Sequence, residues 1–248
     1  EQYRRYETDG ILTYVEMIKY DRLKKFEKEL IELINNKDKE IRDEIRNHLT
    51  DQYKESYYRT AHVIETAAKV KLAYSAVKRE VLYEAINIDF TGLTLNERLE
   101  KRRYELIIGM KETIVRGLHQ GQSYRSMANL IKNQLEGDLF KARRIVRTEA
   151  HRIREKASLE SVLHAHEQGV IMKKTWNSVR DERVRANHNR LDGVTIPADE
   201  KFKLGKYEAE APGQFGYPEM DINCRCFLTY EIEAIEKPQH EELADMKY

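Results

Sequence analysis

The sequence predicts a mainly α-helical protein, with an elongated N-terminal helical region and a small C-terminal α+β module. Three observations carry that prediction. Charged residues form 35% of the 248-residue chain and mean hydropathy is −0.76, which suits long amphipathic helices with one solvated face. Residues 37–86 contain no proline and no glycine, so nothing punctuates a helix there. Glycine and proline instead crowd between Gly193 and Pro218, where dense turns mark a different architecture.

Apolar residues recur at helical spacing from Ile11 to about Asn35, through Tyr14, Val15, Ile18, Leu23, Phe26, Leu30 and Ile34. A second periodic stretch runs from about Lys37 to Ile86, with a bend or break expected near Thr60. NIDFTGLTLNE interrupts it, and Asn96 is placed to cap a helix from Glu97 to His119. Gly121 then ends that helix, and Ser123 caps the next, which carries Met127, Leu130, Ile131 and Leu135 on one face. Gly137 is expected to stop this short helix and Asp138 to cap a third. The third packs through Leu139, Ala142, Val146, Ala150 and Ile153 and runs to Glu167, with Gly169 just beyond. Residues 170–176 (VIMKKTW) and 224–232 (CRCFLTYEI) have strand composition, and LDG at 191–193 signals a turn.

Composition excludes several classes. Lys+Arg (44) nearly balances Asp+Glu (43), which counts against a dedicated DNA-binding protein. The apolar runs are too short to span a bilayer, so no membrane partner is expected. No G-x-S-x-G, no H-E-x-x-H and no phosphate-cradling glycine loop occurs. RTE at 147–149 is compact, yet its three side chains point apart on a helix, and Glu149 is better suited to fixing an arginine or a turn than to acting as a general base.

Cys224 and Cys226 are the two cysteines of the chain. A disulfide between residues i and i+2 would be strained and would close almost no loop, which points to a reducing compartment. A C-x-C on a strand aims both sulfurs at one face. Upstream, Asp181 and His188 are seven residues apart, two turns along one face if that stretch is helical. One imidazole, one carboxylate and two thiolates are suitable donors for a four-coordinate zinc. The expected ligands are therefore Asp181, His188, Cys224 and Cys226, with Asp192 replacing Asp181 if the helix ends early. The competing interpretation makes the cysteines small core residues with Arg225 on the opposite face.

A second candidate is the basic stretch KARRIVRTEAHRIREK, 141–156. Arg143, Arg144, Arg147 and Arg154 are candidate phosphate contacts, non-specific in sequence and sensitive to salt. The alternative is a solvated helix face with ion pairs such as Arg147 or Arg152 with Glu149 or Glu155.

The order of these motifs carries a resemblance. GLHQGQSYRSMA leads to ARRIVRTEAHR, then to a Trp followed by DERVRANHNRLDG, an aromatic-Gly-Pro region, and finally CRC. Over roughly residues 110–230 this resembles the phage Mu F-like family of minor head, or head-morphogenesis, proteins of tailed phages. Its motif residues map onto Arg147, Thr148, Glu149, Trp176, Asp181, Arg183, His188, Leu191, Asp192, Gly193, Cys224, Arg225 and Cys226. The resemblance implies a virion component of the head interior, assembled in the host cytoplasm, that associates with the portal protein and affects DNA retention or delivery. Phage DNA, bound non-specifically, and capsid or scaffold proteins are further implied partners.

The expected division is a long helical docking region at 1–109, the helical part of the head-morphogenesis module at 110–168, the small α+β module at 169–234 and an acidic tail at 235–248. Two rival functions remain. One is a metal-dependent hydrolase or toxin-like effector that uses the same donors with an open metal position. The other is a purely structural helical adaptor.

Overall fold

Without a breaker after Lys37, one helix forms where the periodicity suggested two. The computed structural model describes residues 22–89 and 92–236. Helix α1 (Arg22–Ala68) is continuous over 47 residues, about 70 Å at 1.5 Å per residue. It passes through Asn35 and Thr60, where a join and a bend were expected. The break comes instead at Lys69, whose φ of 55° is left-handed, and helix resumes only at α2 (Arg79–Asn87). Tertiary contacts explain the difference. Val70 and Leu72 are buried against Ile64 and Val162, the Leu72 N–H donates to Glu65 Oε1 at 2.7 Å, and the Tyr74 hydroxyl donates to the Ser161 carbonyl at 2.8 Å. The periodic positions Ile11, Tyr14, Val15 and Ile18 lie outside the described residues, as does the acidic tail beyond Glu236.

Helix α3 (Leu95–His119) begins ahead of Asn96, which is in its first turn rather than at its cap. Gly121 then turns the chain at φ 61°. Ser123 caps α4 (Tyr124–Glu167), its Oγ accepting the Ser126 N–H at 3.3 Å. Helix α4 does not stop at Gly137 but runs for 44 residues. Asp138 is no cap. It accepts a hydrogen bond from Arg102, which also donates to Asp38 at 3.0 Å. That buried ion cluster ties α1, α3 and α4 together and overrides the weak helix propensity of a single glycine.

After Gly169, left-handed at φ 89°, the chain enters β1 (Val170–Asn177), whose alternating burial is that of a half-covered strand. β1 is the middle of a three-stranded antiparallel sheet, flanked by β2 (Thr195–Pro197) and β5 (Phe227–Ile235). β3 (Phe202–Leu204) and β4 (Tyr207–Ala209) form a separate hairpin turning at Gly205. Two single-turn helices, α5 (Ala186–Asn189) and α6 (Pro218–Asp221), complete the module.

The described chain divides into two compact units. One joins the residues up to Ile45 with Asn96–Arg144, the other joins Arg46–Leu95 with the residues from Ile145 onward. Each thus interleaves segments from either side of residue 95. The first has a small core of Ile114, Leu118 and Met127 backed by Phe26 and Leu30. The second has one core around Ile64, Val162 and Met172 and another around Trp176, Phe202, Phe215 and Leu228. Full burial of Trp176 contributes about 2–3 kcal/mol. Among the described residues no helix is long and apolar enough to cross a membrane.

Candidate metal centre

A metal centre needs donors that converge, that are shielded from water and that are not committed elsewhere. His188, Cys224 and Cys226 meet those conditions. All three are buried, and their ligand atoms lie within 4.8 Å of one another. His188 Nδ1 is 3.5 Å from each sulfur. A tetrahedral ion with bonds of ~2.3 Å to S and ~2.0 Å to N sets those ligands about 3.5 Å apart. The cluster therefore has the spacing that a metal ion would impose, and it could hold one.

Local structure explains the convergence. Short helix α5 presents His188 inward, against the rings of Trp176 at 5.8 Å and Phe215 at 5.6 Å. The cysteines are not on a strand, since β5 starts after them at Phe227. Instead Asn223, left-handed at φ 59°, lifts the chain out of α6, and the Cys224 N–H closes the turn on the Asp221 carbonyl at 3.1 Å. Extended backbone beyond it still alternates, burying both cysteines and leaving Arg225 part-exposed.

Asp221, which the motif analysis did not single out, organises this corner. Its buried carboxylate accepts the N–H groups of Phe215, Gly216 and Tyr217 at 3.0, 2.8 and 3.3 Å. Burial raises its pKa even so, those three bonds opposing the shift. The acid of DINCRC was the available signal. Electrostatics differ across the thiols. Cys226 is held below the usual thiol range, chiefly by the hydrogen bond with Cys224, and Cys224 is raised by that bond and by burial.

The carboxylates expected as fourth ligand are elsewhere. Residues 180–185 are not helical, so Asp181 and His188 share no helix face. Arg180 is left-handed at φ 55°, and Asp181 Oδ1 accepts the Arg183 N–H at 3.0 Å in a local turn. Asp181 is exposed and paired with Arg225, and Arg183 is exposed beside it. Asp192 accepts the Ser178 N–H at 2.7 Å and Arg180 Nε at 2.8 Å. Gly193, at φ 80°, donates its N–H to the Trp176 carbonyl at 2.8 Å and so anchors the turn to β1.

Glu149 holds an arginine: Arg152 Nε and Nη2 donate to its Oε2 at 3.1 and 2.8 Å, both residues buried. Arg152 therefore leaves the basic face, and it also donates to the Ala85 carbonyl at 2.7 Å. Arg143 and Arg144 are exposed at the end of the first unit, and Arg147 and Arg154 are exposed in the second. Arg154 pairs with Glu155 at 2.9 Å.

The profile of the Phage Mu protein F like protein family matches residues 109–229, a span that includes every donor above. The chain is 34% identical over 236 residues to Minor head protein GP7 of Bacillus phage SPP1, covering 93% of this chain and 75% of that protein. It is also 27% identical over 224 residues to a protein named NAD(+)--arginine ADP-ribosyltransferase EFV from Enterococcus faecalis, covering 90% of this chain. The chain spans only 46% of that second relative's length. No solved structure matches. With the motif order, the family match and the likeness to a minor head protein along nearly the whole chain, this protein belongs to the phage Mu F-like family of phage head-morphogenesis, or minor head, proteins.

Proposed function

We propose that the protein is a virion component of the head interior, beside the portal protein, that contacts packaged phage DNA without sequence preference and acts in head assembly and in DNA retention or delivery. The observation carrying this reading is the likeness to a minor head protein over 93% of the chain. Exposed arginines 143, 144, 147 and 154 supply positive charge suited to phosphates. Capsid or scaffold proteins are its other partners, met in the host cytoplasm during assembly.

The metal in this reading is zinc with a structural role. Two thiols and an imidazole favour zinc over hard cations. The module has strands of only three residues at β2, β3 and β4, and a small core of this kind gains much from a metal staple. The enzyme name of the Enterococcus relative does not carry an activity here, because more than half of that protein lies outside the match. A hydrolytic metal would need a position open to substrate, whereas all three donors are buried.

Mass spectrometry of purified virions and procapsids should find the protein together with portal; its absence from both would sink the assignment. Elemental analysis should find about one zinc per chain. Cys226→Ser should lose the metal and melt the C-terminal module while most helical signal persists. A melting curve unaltered by chelation would return the cysteines to core packing.

A further inference from the structure

The geometry points to His151 as the fourth ligand, which makes the cluster a closed site of two imidazoles and two thiolates and pins α4 to the cysteine segment. This inference rests on the metal reading above and names the ligand which that reading leaves open.

Three donors do not close a tetrahedral site, and the nearby carboxylates are engaged. Asp181 holds Arg225, Asp192 holds Ser178 and Arg180, and Asp221 holds three backbone N–H groups. Helix α4 is laced to the cysteine segment by two hydrogen bonds. Thr148 Oγ1 accepts the Asn223 N–H at 3.2 Å, and Glu155 Oε2 accepts the Leu228 N–H at 3.0 Å. These two bonds tie one face of α4 to the chain on either side of Cys224 and Cys226. Positions 148, 151 and 155 share that face, being three and four residues apart. Position 151 therefore lies between the two bonds on that face.

Two further observations agree. The His151 ring lies within side-chain interaction range of the Cys224 thiol. Its Nε2 is buried and has no hydrogen-bond partner among the described residues. A buried polar atom left dry is costly, and a metal bond would satisfy it. Ligation through Nε2 places the ring proton on Nδ1. Nδ1 lies 3.3 Å from Arg154 Nη2, itself a donor, so that contact opens when the metal binds. Arg154 keeps Glu155, and the ring turns toward the sulfurs.

X-ray absorption at the zinc edge of the full chain tests the assignment. Wild type should show two sulfur and two nitrogen neighbours. His151→Ala should exchange one nitrogen for oxygen and lower zinc affinity by at least about 100-fold, beyond the range of an outer-shell contact. His151→Cys should show three sulfurs and one nitrogen, which provides a second arm if the alanine variant fails to fold. Two sulfurs, one nitrogen and one oxygen in wild type, with two sulfurs still in His151→Cys, would overturn the inference while leaving the metal reading intact. Failure of wild type to bind zinc would overturn both.

Discussion

Asp181 grips Arg225 with both carboxylate oxygens, each at 2.6 Å from a guanidinium nitrogen. The pair joins the 180–185 turn to the residue between the two cysteines. The hydrogen bond from Arg225, aided by the Arg183 N–H, holds the Asp181 carboxyl below its ordinary value of 3.8. Its contribution to stability is thus fully present above that ordinary value and is lost only as pH falls through the lower folded one. Asp181→Asn should leave zinc content at the wild-type level by elemental analysis. It should lower module stability only slightly, as for other exposed pairs. Loss of the metal would restore Asp181 as a ligand.

Gly137 offers a test of the long helix. It is absent from the left-handed glycines, and a Cβ there would meet nothing within 4 Å. Gly137→Ala should therefore raise stability by about 0.5–1 kcal/mol in thermal melts. If the glycine instead stopped the helix in a left-handed turn, alanine would lower it.

Lys174 is buried in β1 with its ammonium 5.6 Å from the Phe202 ring. Burial pushes its pKa down from 10.5 to about 8. Between those two values the unfolded chain holds a proton that the folded chain has released, so stability from this group rises with pH across the window and is lowest below pH 8. Lys174→Met should raise stability at pH 7 by about 1–3 kcal/mol and abolish that rise. Denaturant titrations at pH 7 and pH 9.5 would compare the two proteins, and a variant weaker than wild type at pH 7 would contradict the sign.

DNA affinity should fall steeply with salt. Replacing Arg143, Arg144 and Arg147 with Gln should flatten the slope of log affinity against log salt by about 0.9 for each phosphate no longer neutralised. An unchanged slope would make these arginines a solvated face.

Turn chemistry was the most legible part of the sequence. Gly121, Ser123, Gly169 and Gly193 act where expected, because left-handed turns and hydroxyl caps are decided by a few adjacent residues. The ends of the long helices were not legible. Lys69 leaves the helix because Leu72 and Tyr74 find partners at Glu65 and Ser161, and Gly137 stays helical beside the Asp38–Arg102–Asp138 cluster. Three donors of the candidate centre could be read from the two cysteines and the LDG-linked histidine. The expected carboxylate does not join them, because the seven-residue spacing from Asp181 to His188 has meaning only on a helix that does not form there.

Thr148 and Glu155 meet partners that follow them by 75 and 73 residues. At about 5–20 residues per second, several seconds of translation separate the two sides of each contact. Over that interval Leu159 lacks Cys226 and Leu228, which later cover it in the core. Long-range closure of this kind is slow, and the three-stranded sheet is complete only once β5 has emerged. A nascent chain halted before Phe227 would lack β5, leaving β1 without one of its two partner strands and the Glu155 carboxylate without the Leu228 N–H.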